Sequence, residues 1–222
     1  SLSYIQYPAQ INFLDLNYKR YSFSFLNYGL LEDSIDNNVI NSFNSYEYLF
    51  DYRLKNLDNY FISSIGFLYS QIENYKSNAI LFNIKKQFKI KSVNASLSFH
   101  NFGIILNSYT STGNSTPYKI QFSLSNIIAN KNFNVGYDLV YNHYLSSSLH
   151  IISFTKDLNN NLQFRLSNSS NYQKLKIYNN YKDYLYGFSI GFTLYTNTNT
   201  TVDIGFLNLG PAGYVYGITL NI

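Results

Sequence analysis

The sequence predicts an all-β protein, an antiparallel up-and-down transmembrane β-barrel of about fourteen strands. Three observations predict it. The hydrophobic period is two from end to end, and no window prefers the helical period. Charged residues make up only 13% of the chain while aromatics reach 19%, with 24 Tyr and 18 Phe, a poor surface for water and a good one for lipid. Short and long connections also alternate, as the tight periplasmic turns and long outer loops of outer-membrane barrels do.

The elements follow from alternation cut at Asn, Asp, Ser and Gly clusters. The N-terminal stretch "SLSYIQYPAQINFLDLNYKR" gives strands centred near Tyr4 and Asp15, and "KR" turns the chain into "YSFSFLNYG" around Phe25. In "YEYLFDYRL", centred on Phe50, Tyr46, Tyr48, Phe50, Tyr52 and Leu54 share one face and Glu47, Asp51 and Arg53 the other. Strands near Ile65 and Phe82 lead to "VNASLSFH" around Leu97, in which Val93, Ala95, Leu97 and Phe99 oppose Asn94, Ser96, Ser98 and His100. "YKIQFSLS" repeats the split around Phe122, and strands near Tyr137, Ile151 and Phe164 follow. "YLYGFSIGFTL" around Ile190 sets large apolar residues against Gly187, Ser189, Gly191 and Thr193. Phe188 is expected on its lipid side at about mid-depth and Ser189 inside. The last strands centre near Ile204 and Ile218.

Between these strands, "KR", "KNLDN", "KIKS", "NIIANKN", "KDLNNN" and "TNTNT" read as short turns. "GLLEDSIDNNVINSFNS", "QIENYKSN", "HNFGIILNSYTSTGNSTP", "NHYLSS", "SNSSNYQKLKIYNNYKD" and "LGPAG" read as the longer loops of the opposite end. No linker divides the chain, so residues 1–222 form one domain, and an export signal is expected to be missing before Ser1. The chain ends on "GPAGYVYGITLNI", an alternating strand with nothing after it to turn it back. In a closed barrel its free edge pairs with the first strand, and Gly217, Leu220 and Ile222 have the spacing of a C-terminal insertion signal.

Several functions are excluded by composition. The net charge of +4 comes from scattered lysines without a nucleic-acid motif, so no nucleic acid is expected as a partner. No run of apolar residues is long enough for a membrane-crossing helix. Cys is absent, and the three histidines, His100, His143 and His150, match no metal-ligand spacing, so neither metal nor cofactor is expected. His143 near Ser146, Ser147 and Ser148 lacks the context of a barrel lipase, and the protein is expected not to be an enzyme.

The polar faces carry Glu47, Asp51, Arg53, Asp138, Arg165 and Asp203, which a barrel would point into its lumen. Opposite charges there are expected to pair and fill the bore.

The order of segments resembles the PorV/PorQ family of outer-membrane barrels associated with type IX secretion. The stretches that carry the resemblance are the N-terminal strand pair, "YSFSFLNYG", "YFISSIGFLYSQIENY", "ASLSFHNFG" with Asn101, Phe102 and Gly103, and "STPYKIQFSLS" with Pro117. The family's N-terminal segment has no counterpart before Ser1. The resemblance implies a bacterial outer-membrane protein, in contact with lipid, acting as an accessory or scaffold in protein export with protein partners at its long loops. A solute channel of the porin or fatty-acid-transporter kind is the alternative, and a soluble or surface β adhesin is a further one.

Overall fold

A computed structural model describes residues 1–35, 39–54, 60–109, 115–128, 133–143, 146–170, 181–196 and 200–222. Fourteen strands among them form a closed antiparallel barrel in which each strand pairs with its neighbours in sequence and the first with the last. They are β1 (Leu2–Gln6), β2 (Asn12–Tyr18), β3 (Tyr21–Ile35), β4 (Val39–Arg53), β5 (Phe61–Ile72), β6 (Tyr75–Ile90) and β7 (Val93–Asn107), then β8 (Lys119–Ile128), β9 (Phe133–Asn142), β10 (Ser147–Asn159), β11 (Leu162–Ser169), β12 (Phe188–Tyr195), β13 (Thr201–Asn208) and β14 (Tyr214–Asn221). Each of the fourteen predicted centres falls in its own strand. The seam closes by pairing Leu2 with Leu220, Tyr4 with Ile218 and Gln6 with Tyr216, which satisfies the edges that two free strands would otherwise expose.

The outer face follows from the period of two. Phe67, Ile204 and Ile218 are 45%, 47% and 48% exposed, and they line up with apolar partners across the sheet: Phe67 with Phe50, and Ile204 with Phe192 and Ile218. A face of this kind is stable only against hydrocarbon. Aromatic rings meet along it, Phe25 stacked on Tyr48 at 4.9 Å and Phe164 tilted against Phe192 at 5.4 Å. Towards the loop end polar tips appear: the Tyr46 and Tyr69 hydroxyls both donate to Gln71 at 2.6 Å, and Tyr118 stacks on His143 at 4.3 Å. Amphipathic rings at that level suit the boundary between lipid and water.

Several connections differ from expectation. "QIENYKSN" is not a loop, because Gln71 pairs with Lys76 and Ile72 with Tyr75 around a two-residue turn. β7 absorbs the start of the next expected loop, running to Asn107. β3 and β4 stay paired past a bulge between Asn27 and Leu30 as far as Ile35 and Val39, so much of "GLLEDSIDNNVINSFNS" is a two-stranded ribbon. Asn and Ser mark turns in most chains, but here they also occupy strand positions, and backbone pairing outweighs their turn preference. The short turns at 19–20 and 91–92 hold, each with a lysine at positive φ, Lys19 and Lys91. All of "KNLDN" and parts of "NIIANKN", "TNTNT" and "SNSSNYQKLKIYNNYKD" lie outside the described residues. Both termini share the end of the short turns, the periplasmic end of such a barrel. Phe188 is the first residue of β12, so it sits at the loop end of the strand and not at mid-depth as expected.

Candidate functional site: the barrel lumen

With the apolar row facing lipid, the alternate residues face inward, and register decides which of them meet. One inward row runs through eight strands as successive cross-strand partners: Asp157, Gln163, Thr193, Asp203, Thr219, Ser3, Asp15 and Ser24. Its members hydrogen-bond along the row. The Gln163 amide donates to Asp157 at 2.7 Å, the Thr193 hydroxyl to Asp203 at 2.5 Å, the Thr219 hydroxyl to Ser3 at 3.0 Å and the Ser24 hydroxyl to Asp15 at 2.6 Å. Asp203 also accepts from Arg165 at 2.5 Å and from the Asn221 amide at 3.1 Å. The adjacent row places Arg165 beside Gly191, and then Gly205, Gly217 and Ile5 on successive strands. A Cβ built at Gly205 meets nothing within 4 Å, and this wall encloses a cavity of 680 Å³. Glycines thin the wall there, where side chains would occupy the bore.

The opposite wall is polar in another way. Asp51 accepts from the Ser64 hydroxyl at 3.3 Å and the Asn83 amide at 3.2 Å, and Asn83 accepts the Asn101 N–H at 2.8 Å. Glu47 accepts from Ser70 at 3.0 Å, and Tyr109, just past β7, donates to that same serine. Partial burial lifts the Tyr109 hydroxyl above the ordinary tyrosine value. Asp138 accepts from the Gln121 amide at 3.2 Å, and His100 meets Ser98 at 3.0 Å.

Of the six sequence-predicted lumen residues, Arg165 and Asp203 line the first cavity, Asp51 and Arg53 line a second one, Glu47 and Asp138 accept from Ser70 and Gln121, and only Arg165 and Asp203 form an ion pair among the described residues. The expectation that paired charges fill the bore is corrected. Glu47, Asp51 and Asp138 are held by neutral donors instead, and Arg53, at the end of β4, has no ionic partner among the described residues. Inward groups stay in contact with water: Arg165 is 43% and Asp203 25% exposed. The apolar residues that are buried, among those described, are Ala79, Leu81, Ala95 and Val215, too few for a packed core. Sequence reasoning missed the continuous row and the glycine stretch beside it. Their members lie far apart in the chain, and register alone unites them.

Of the C-terminal residues, Gly217 faces inward, Leu220 pairs with Leu2 and Val202, and Ile222 follows the last strand residue at 95% exposure. His143 stacks on Tyr118, and the Ser146 hydroxyl donates to its main-chain oxygen at 3.4 Å, not to its ring.

Closed antiparallel topology, an apolar outer band and a polar inner wall define a β-barrel of the bacterial outer membrane. No family model matches the chain and no curated protein matches it, so the PorV/PorQ resemblance rests on the residues quoted above. Among solved structures, the chain is similar to a KdgM porin, at 10% identity and a TM-score of 0.43, with 100% of this chain and 97% of that one covered. It is also similar to a NanC porin, at 13% identity and a TM-score of 0.39, with both chains fully covered. The expectation of an export accessory is corrected here. Both solved structures are porins, the class of the alternative reading. Likeness this distant identifies no solute, so the lumen itself has to carry the reading of function.

Proposed function

We propose that the chain is a non-enzymatic solute channel of the porin kind. The observation that supports it is the polar inner wall, where the partly exposed Arg165 and Asp203 line a cavity of 680 Å³. Size supports it too. Fourteen strands ~4.8 Å apart and tilted by ~40° close on a backbone radius of about 14 Å. Inward side chains of ~6 Å then leave a bore roughly 15 Å across, where a barrel of eight strands would be filled.

The experiment is planar-bilayer recording on protein that first shows the mobility shift of a closed barrel on unheated gels. Steady, reproducible conductance steps are expected. Arg165→Gln leaves the Asp203 carboxylate without its cation in the bore, so selectivity should move towards cations while the barrel still assembles. Closed barrels that give no steps above the lipid background would sink the proposal.

A further inference from the structure

At the periplasmic end the two walls differ in charge. A cavity of 440 Å³ opens there between the β2–β3 turn and the lower ends of β4, β5 and β6, lined among others by Arg20, Arg53, Lys85 and His100. The main chain fixes this grouping. The Arg53 N–H donates to the Arg20 carbonyl at 2.7 Å, holding the two arginines side by side, and Arg53 pairs with Ser64 across the sheet. Ser64 in turn pairs with Asn83, two residues from Lys85 on the same inward face. Lys19 stands at the lip, with its ammonium 5.0 Å from the centre of the Tyr18 ring.

One carboxylate lines this cavity, that of Asp51. It is occupied by the hydroxyl of Ser64 and the amide of Asn83. Among the described residues Arg20, Arg53 and Lys85 have no ionic partner, and the one ion pair lies on the far wall. Three like charges turned into one concave, low-dielectric wall repel each other and concentrate field on the space between them. An anion placed there gains from all three at once. Two guanidinium groups beside an ammonium favour an oxyanion with several acceptor oxygens and more than one negative charge. A single carboxylate would leave part of that field unmet.

We infer that this cavity is a binding site for a multivalent, phosphate-bearing solute at the periplasmic mouth of the lumen. Arg20 and Arg53 hold its oxygens in forks, Lys85 adds a point charge, and Ser64 and Asn83 keep Asp51 turned away from it. The inference deepens the channel reading and rests on it for the passage of the solute, although binding itself requires no conduction.

The test uses the full chain in detergent, with inorganic pyrophosphate as the probe and titration calorimetry at constant ionic strength as the readout. Pyrophosphate should bind saturably, and Arg53→Gln together with Lys85→Gln should weaken it by about tenfold or more. Lys76→Gln, which removes one positive charge near the β5–β6 turn at the opposite end, should change it less than about twofold. Bilayer conductance in chloride is recorded on the same preparations. Binding without conductance supports the site and removes the channel reading. Conductance with no pyrophosphate binding up to about 10 mM, or equal binding by the double variant, overturns the site and leaves the channel reading in place.

Discussion

Ile204 and Gly205 are neighbours in the middle of β13, and the structure assigns them to opposite solvents. Ile204 sits between Phe192 and Ile218 on the outer face and is 47% exposed. Gly205 sits between Gly191 and Gly217 on the inner face, with open space where its Cβ would stand. Arginine at Ile204 therefore meets hydrocarbon near the bilayer midplane, at a cost of ~2–4 kcal/mol. That is about 30-fold to nearly 1,000-fold in the folding equilibrium. At Gly205 the same side chain points into the bore from a Cβ that meets nothing within 4 Å, and replaces a strand glycine that is itself ~0.5–1 kcal/mol unfavourable. The net change there should be within about 1 kcal/mol of zero, since repulsion from Arg165 is screened in a wet bore. Phe188→Arg, at the loop end of β12, should cost only ~0–1 kcal/mol because its head can reach the interface. Reversible urea unfolding in phospholipid vesicles, followed by circular dichroism and by gel mobility without heating, measures all three. A Gly205→Arg protein that fails to assemble beside an Ile204→Arg protein that folds like the parent would refute the facing assignment for the whole barrel.

Two glycine substitutions test the backbone directly. A Cβ at Gly103 would run into the Ile80 carbonyl oxygen and lie 2.9 Å from its carbon, paired backbone that cannot step aside, so Gly103→Ala should cost more than ~3 kcal/mol and abolish the unheated mobility shift. Gly210 has φ +71° and faces the Tyr186 ring, 2.8 Å from where a Cβ would stand, so Gly210→Ala should cost ~1–3 kcal/mol locally. Because that turn lies outside the membrane, the expected result is faster proteolysis between β13 and β14 with an unchanged mobility shift.

Much of the fold was legible because one physical rule, two faces in two solvents, acts at every strand. Tyr48, Phe50 and Tyr52 against Glu47, Asp51 and Arg53 announce both the strand and its facing. The ends of strands were less legible. Asn and Ser line the inner wall here, as Ser77 and Asn83 in β6 show, so the residues that mark turns elsewhere also occur within strands. The candidate site was legible one residue at a time and not as an arrangement. Asp203 was identifiable as inward, but its place between Thr193 and Thr219, in a row reaching back to Asp15 near the other end of the chain, depends on register and closure.

Whether the lumen is filled depends on size, which no local pattern reports. In a barrel of eight strands these inward residues would meet across the axis, and an unpaired Arg53 or Lys85 would be a buried charge of prohibitive cost. At fourteen strands they meet water. The Arg165–Asp203 pair then changes meaning as well. With Arg165 43% exposed, solvent screening limits the contribution of the pair to at most about 1 kcal/mol, so it does little to hold the barrel together. Its effect is on the field in the bore: it neutralises Asp203, which would otherwise attract cations, while among the described residues the cations of the opposite wall near the periplasmic mouth have no ion-pair partner. A structural staple and a charge filter thus make opposite demands on this pair, and a stable barrel with altered selectivity in Arg165→Gln is the combination that only the filter produces.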